Sequence, residues 1–389
     1  MLLAIVPWVL NGYGSVFVPI SKLMIHCAAT GLVYRNPKPH LKAIHAWHPS
    51  IVRRDDGTLL ASFDLGEAIE SLDYGTVLSR SRDEGQTWDA PLRWFNDPAP
   101  RRCTHSVRLG QMRDGTLVGL GGRFYRDDPE LGLTNRTNLG YVPMDLILLR
   151  SLDGGGTWDG PANLQPPLVG PSFEICHRII ELSDGRWLAP MGTWKGWDGS
   201  APNGMQAIAL VSCDRGATWP EWISVVNQYD QGVVSWEQGL TQLPDGRLLA
   251  VVWCFDEMHG KSLPNRYAIS NDGRRFSPPR ENGIQGETSK LLALADGRVV
   301  CMVRRLDKPG LWANLVHIEG ENWINVAEAQ VWNGPTSGLF GKQGACDELS
   351  ALKLGFPSMV QMSGGDVFAV FWCLEDCMHV IRWARLAIK

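Results

Sequence analysis

Apolar residues along this chain come in short runs separated by turns, with no long stretch of helical periodicity. One unit shows the pattern: Pro49-Ser50-Ile51-Val52, a turn at Asp56-Gly57, then Thr58-Leu59-Leu60-Ala61-Ser62-Phe63. The pattern returns from Val107 with Asp114-Gly115, at Ile179-Ile180 with Asp184-Gly185, and from Leu240 with Asp245-Gly246. Leu291-Leu292 with Asp296-Gly297 and Met359-Val360 with Gly364-Gly365 complete six units. Such dipeptides between apolar runs are hairpin signals.

A third apolar run follows each hairpin, such as Thr76-Val77-Leu78 or Leu146-Ile147-Leu148-Leu149, and leads into a second repeated element. Its pattern is S-x-D-x-G-x-T-W, intact at Ser81 to Trp88, Ser151 to Trp158 and Ser212 to Trp219. A partial copy runs from Ser270 to Phe276, and Glu319 to Trp323 is a worn fifth. Within it, Asp accepts hydrogen bonds from its own turn, Gly supplies the positive φ, and the aromatic folds back on the sheet, so its role is structural.

Four antiparallel strands repeated at intervals of about 50 to 70 residues describe a propeller blade. The expected fold is therefore all-β, a six-bladed β-propeller of four-stranded antiparallel blades. The last unit stops after three strands, and Gly31-Leu32-Val33-Tyr34 can supply the fourth. Ring closure by an N-terminal strand joining the C-terminal blade would remove an exposed edge. Residues 24–389 then form a single domain, with 1–23 as an appendage of uncertain order.

Composition adjusts this picture only slightly. The chain has 389 residues and a net charge of −4, with no basic excess to suggest nucleic acid. The apolar run Leu2 to Leu10 is too short to span a membrane and lacks a basic flank, and Met24 is a plausible alternative start. Nine Cys without zinc-ligand spacing suggest buried thiols in a cytoplasmic protein, with neither disulfides nor metal. No phosphate-binding glycine loop appears, so no cofactor is expected. Oligomeric state is left open.

The repeated S-x-D-x-G-x-T-W turns in a six-unit all-β chain resemble the Asp-box (BNR) repeats of the sialidase, or neuraminidase, superfamily. The resemblance runs from about Gly31 to the C-terminus and implies peripheral boxes around a central active site. Matched by distance from each Asp-Gly turn, it places Glu237 at the position of the Glu that activates the sialidase nucleophile. Phe356 stands at the position of that nucleophilic Tyr, and Phe cannot attack an anomeric carbon. The element that carries the first clamp Arg is matched by Trp47-His48-Pro49, without Arg. Trp253 stands where a second clamp Arg is implied, and Arg304 has the equivalent offset one unit later. The acid/base loop is matched by Glu67, Glu70 and Asp73.

Read by position alone, the start of each first strand and the end of each second strand should face the centre. That brings forward His45, His48, Asp64, Glu67, His105, Arg123, Glu174, His177, Arg178, Lys195, Glu237, Glu287, Arg304 and Arg305, with Trp47, Trp194 and Trp253. Carboxylates and guanidinium groups bind sugar hydroxyls, and aromatic faces cover the C–H side of a ring. Glu237 is the most informative, because a carboxylate beside Trp236 in an apolar strand is costly unless bound or used. His48 and His177 are equally readable as core histidines satisfied by backbone carbonyls.

Two function classes follow. In the first, the protein is an exo-acting glycoside hydrolase on an acidic or polyhydroxylated sugar. Asp64 or a carboxylate of Glu67 to Asp73 is then the acid, and Glu237 the base or nucleophile. A lyase variant uses His105 or His177 as base beside a uronate held by Arg123 or Arg304. In this class His48, Trp47, Glu67, Glu174, Arg178, Trp253 and Glu287 contact the carbohydrate. In the second class the propeller binds carbohydrate or protein without turnover. A centre plugged by Trp side chains would favour that second class. Convergence of His45, His48 and His105 on a metal is a minor third possibility.

Overall fold

A computed structural model describes residues 8–9, 18–19 and 24–389. The appendage expected over 1–23 otherwise lies outside the described residues. Six antiparallel sheets form the ring. Blade 1 runs His45–Arg53, Leu59–Gly66, Gly75–Ser81 and Leu92–Arg93, and blade 2 runs Cys103–Gln111, Leu117–Tyr125, Met144–Ser151 and Asp159–Leu164. The inner strand of blade 3 is broken into Ser172–Glu174 and Ile180–Glu181, followed by Trp187–Trp194, Ala207–Ser212 and Glu221–Val226. Blade 4 holds Val233–Gln242, Leu248–Asp256, Lys261–Ser270 and Arg280–Glu281, and blade 5 holds Gly286–Ala293, Val299–Arg305, Leu311–Glu319 and Asn322–Trp332.

Blade 6 takes three strands from the C-terminal end, Leu354–Gln361, Val367–Glu375 and Met378–Ile388, and its fourth from Ile25–Tyr34. The closing strand is longer than the sequence suggests, starting six residues before Gly31. Gly31 is required there, because a Cβ would lie 2.6 Å from the Trp383 ring. Closure covers the outer side of Met378–Ile388 and makes Ile25–Tyr34 the outermost strand of the blade.

Cores of aliphatic and aromatic side chains lie between successive blades, for example Leu182, Leu188, Val225 and Val252 between blades 3 and 4. The three full boxes share one bonding scheme. In the second, Ser151 Oγ donates to Asp153 and accepts from Gly155 N–H at 2.8 Å, while Asp153 also receives Thr157 N–H and Oγ1. The partial copy keeps the bond from Ser270 to Asp272, but the worn fifth is a tight hairpin pairing Glu319 with Asn322. All nine cysteines are free. No described helix is long and apolar enough to cross a membrane; the α-helix Ala345–Ser350 has six residues.

Candidate active site

The inner strands carry a backbone device that the sequence does not announce. In blades 1, 4, 5 and 6 the pairing with the second strand slips, between Trp47 and Ser50, Trp236 and Gly239, Glu287 and Lys290, and Gly355 and Ser358. At each slip the residue eight before the turn adopts positive φ: His48 48°, Glu237 44°, Thr288 53° and Phe356 52°. A side chain other than Gly pays about 1–2 kcal/mol for this conformation, and such bulges re-aim side chains beside functional sites. Blade 2 keeps its register and places Ser106 at this offset. In blade 3 Cys176 falls in the strand break. Successive blades contact around the ring, so blade 1 stands opposite blade 4. His48 and Glu237 therefore come from opposite walls.

His48, Ser106, Glu237, Thr288 and Phe356 surround a cavity of about 560 Å³ at the end of the ring where the inner strands begin, while Cys176 faces the opposite mouth. Trp236 and Trp253, 4.4 Å apart, line one wall and leave the centre open, and Trp194 stacks on Trp236 at 4.8 Å outside the lining. Across the cavity, Trp47 and Trp372 pack against His379. Loops over 126–143 and 333–353 fence the mouth, joined by an ion pair between Arg136 and Asp347. A third loop is tied in where Glu70 accepts Leu133 N–H at 2.9 Å.

Glu237 has the chemistry of an acid. Its Oε2 is buried without a hydrogen-bond partner. Burial raises its pKa to about 7, with the charges of Glu174 and Glu287 adding to the rise and Lys290 and Arg304 opposing it. Glu174 is itself raised by burial and accepts Glu237 N–H at 3.2 Å. Beneath them Lys290 Nζ donates to the carbonyls of Glu237 and Gln238 at 3.0 and 3.1 Å. Tyr141 on the same side is held protonated by burial and by the charges of Glu174 and Glu237.

On the opposite wall, Asp64 is fully buried and accepts from Tyr74 Oη at 2.9 Å, Thr76 Oγ1 at 2.5 Å, Ser106 Oγ at 2.6 Å and Arg108 Nη1 at 3.3 Å. Burial works to raise its pKa, but Arg108, His48 and Ser106 outweigh it and keep Asp64 ionised. The phenol proton of Tyr74 goes to Asp64, so the 2.7 Å contact between His48 Nδ1 and Tyr74 Oη requires the proton on Nδ1. Nε2 of His48 is left with a lone pair. Burial lowers the pKa of His48, and the imidazole stays neutral.

The structure brings together only part of the expected set. His48, Trp47, Glu67, Glu174, Glu237, Trp253 and Arg304 line the cavity, as does His45 on its rim. Asp64 lies behind it, saturated with donors, and does not fit the expected acid. Asp73 turns away to accept from Glu67 N–H and Ser71 Oγ as a loop cap. His105 does not reach the cavity; its Nε2 lies 2.7 Å from Asp97, which also holds Arg123 through Nε at 2.6 Å. Asp97, Cys103 and His105 lie close enough to share an ion, but Asp97 is already occupied by that guanidinium. His45, paired with His379, and His48 do not converge with His105.

His177 and Arg178 face the opposite mouth of the ring. His177 is held by backbone on both sides, Nδ1 to Arg178 O at 2.7 Å and Nε2 from Leu240 N–H at 3.3 Å. Glu287 sits behind the wall in a fully buried ion pair with Arg304 at 2.5 Å. Lys195 pairs with Glu257, and Arg305 with Asp307 and Glu328. Sequence reasoning missed Arg108 and Lys290, although both stand six residues before an Asp-Gly turn and the same ruler reaches them. It also missed Tyr74, for which no signal existed beyond its neighbour Asp73.

Comparison with known proteins places the fold. No protein-family model matches the chain, and no curated protein matches it. Among solved structures, a protein of unknown function from Dyadobacter fermentans has a TM-score of 0.70 and 20% identity, covering 94% of this chain and 99% of that one. NanB sialidase from Streptococcus pneumoniae follows at 0.62 and 12%, covering 92% and 70%. An α-L-arabinanase from Penicillium chrysogenum, complexed with arabinobiose, gives 0.60 and 16%, covering 92% and 98%. The class these likenesses define is the six-bladed propeller shared by sialidases and an arabinanase.

Proposed function

We propose that the central cavity is the active site of an exo-acting glycoside hydrolase that takes an uncharged, polyhydroxylated sugar. The observation that carries this reading is Glu237, a carboxyl with a pKa of about 7 that lines an aromatic-walled cavity and has no side-chain hydrogen bond to commit its buried Oε2. Raised this far by burial, it retains a proton close to neutral pH, the condition for a general acid. Its proton passes to the glycosidic oxygen as the C–O bond breaks. A water attacks the anomeric carbon from the opposite wall and gives its proton to His48 Nε2, the inverting arrangement. Tyr74 and Asp64 hold the imidazole in the tautomer this needs.

Substrate charge follows from where the arginines are spent. Arg304 is committed to Glu287, and Arg108 to Asp64 and Ser106. Glu67, Glu70, Glu174 and Glu237 line the cavity, so a sugar carboxylate would meet like charge. The fenced mouth favours removal of terminal residues. Sugar-cleaving enzymes among the solved structures of this fold agree with the class of chemistry.

The test is a panel of neutral aryl glycosides, uronate oligosaccharides and sialosides. Turnover of a neutral glycoside is expected, with kcat/KM falling by about 10²–10⁴ in Glu237→Gln. Preference for sialosides, or no turnover of any glycoside, would overturn the reading, the latter in favour of carbohydrate binding alone.

A further inference from the structure

The ring has a second mouth, where the inner strands end at the Asp-Gly turns, and it opens into a separate cavity of about 760 Å³. Six residues before each turn, one level of this channel is defined by Ser50, Arg108, Arg178, Gly239, Lys290 and Ser358. Three of these are cations. Arg108 has Asp64 as counterion, but Arg178 and Lys290 have no carboxylate within ion-pair distance among the described residues. Arg178 donates one bond, from Nη1 to Ile51 O at 3.0 Å, and Lys290 reaches only backbone carbonyls.

Two further arginines, Arg53 and Arg108, line the same walls. Two carboxylates line this mouth: the exposed Asp55, and Glu181, which accepts Arg113 N–H at 2.7 Å. His177, between the cations, is pushed down to about 3 by burial and then by the charges of Lys290 and Arg178, so it adds a neutral ring and no compensation. Burial lowers the pKa of Arg178 as well.

Arg178 is half-buried with a single hydrogen bond, and a guanidinium fork is best satisfied by an anion with several oxygens. We propose that this second mouth binds a tetrahedral oxyanion, phosphate or sulfate, between Arg178 and Lys290, with Arg53 at the rim. The site lies beyond the sugar cavity, and anion binding there is read directly, without recourse to turnover.

The experiment titrates the full chain with sodium phosphate and sodium sulfate by calorimetry and thermal unfolding, against sodium chloride at matched ionic strength. Saturable binding of one anion per chain is expected for phosphate or sulfate, and none for chloride. Arg178→Met should weaken it at least tenfold. If that variant does not fold, Arg53→Gln, nearer solvent, should weaken it severalfold. A sugar monophosphate run beside inorganic phosphate separates an esterified from a free anion, and binding of either satisfies the proposal. Equal effects of chloride and the oxyanions, or unchanged binding in every variant that folds, would overturn it.

Discussion

The box turns at the rim and the bulges at the centre are both repeated around the ring, but they repeat different things. At the rim the residues recur, and each full box makes the same bonds. At the centre the backbone recurs while the residues differ: the same left-handed bulge carries His, Glu, Thr and Phe. Repeated residues buy one structural result several times over, whereas a repeated backbone with varied residues gathers unlike groups about one axis. The fold is therefore written at the rim and the chemistry at the hub.

The widest separation between these regions is expected from Glu237→Gln set against Ser151→Ala. A buried acid whose folded pKa of about 7 exceeds its unfolded value of 4.5 loses stability as pH rises through that window. Removing it should stabilise the protein at pH 8 by about 1–3 kcal/mol while lowering kcat/KM by about 10²–10⁴. Ser151→Ala deletes two bonds of a box and should cost about 1–2 kcal/mol with kinetics unchanged. Denaturant unfolding at pH 8 with kcat/KM on the same samples reads both; a box variant that lowers kcat/KM tenfold would break the division of labour.

A smaller effect sharpens the hub. The alkaline limb of the pH–rate profile should fall near pH 7 as Glu237 ionises, and Glu174→Gln should move it to lower pH by removing a like charge. A limb that stays in place would remove Glu174 from the pair.

The smallest effect belongs to the rim. Hydrogen bonds hold the box carboxylates at about 2, from Thr87 on Asp83, from Thr218 on Asp214 and from the backbone N–H of Arg275 on Asp272. Depressed carboxylates contribute stability above their unfolded pKa and lose it as pH falls through the folded one. Melting temperature should therefore drop progressively below about pH 4, and less steeply in Asp83→Asn.

The rim was legible in the sequence because its function is local: Ser, Asp, Gly, Thr and Trp satisfy one another within a single turn. The same Asp-Gly ruler placed Glu237, His48 and Phe356 correctly along their strands, since strand length fixes that offset. What the ruler could not supply was partners. Asp64 and Asp73 are both acidic and close in sequence, yet one is enclosed by four donors and the other caps a loop. The enclosure of Asp64 depends on Ser106 and Arg108 arriving from the next blade, whereas Asp73 is taken up by Glu67 and Ser71 of its own loop. His177 failed as a candidate base for the same reason, its two nitrogens being taken by the backbone of two blades.

The closing strand Ile25–Tyr34 has a consequence in time. Thr30 and its partner Trp383 are 353 positions apart, and at about 5–20 residues per second their synthesis is separated by tens of seconds. Throughout that interval the strand that must seal the ring is present without its mate, and the five blades made in between have one edge each way unsealed. The slow step in making this protein should be ring closure at that seam, and the seam is where a nascent chain is open to capture by a second copy of itself.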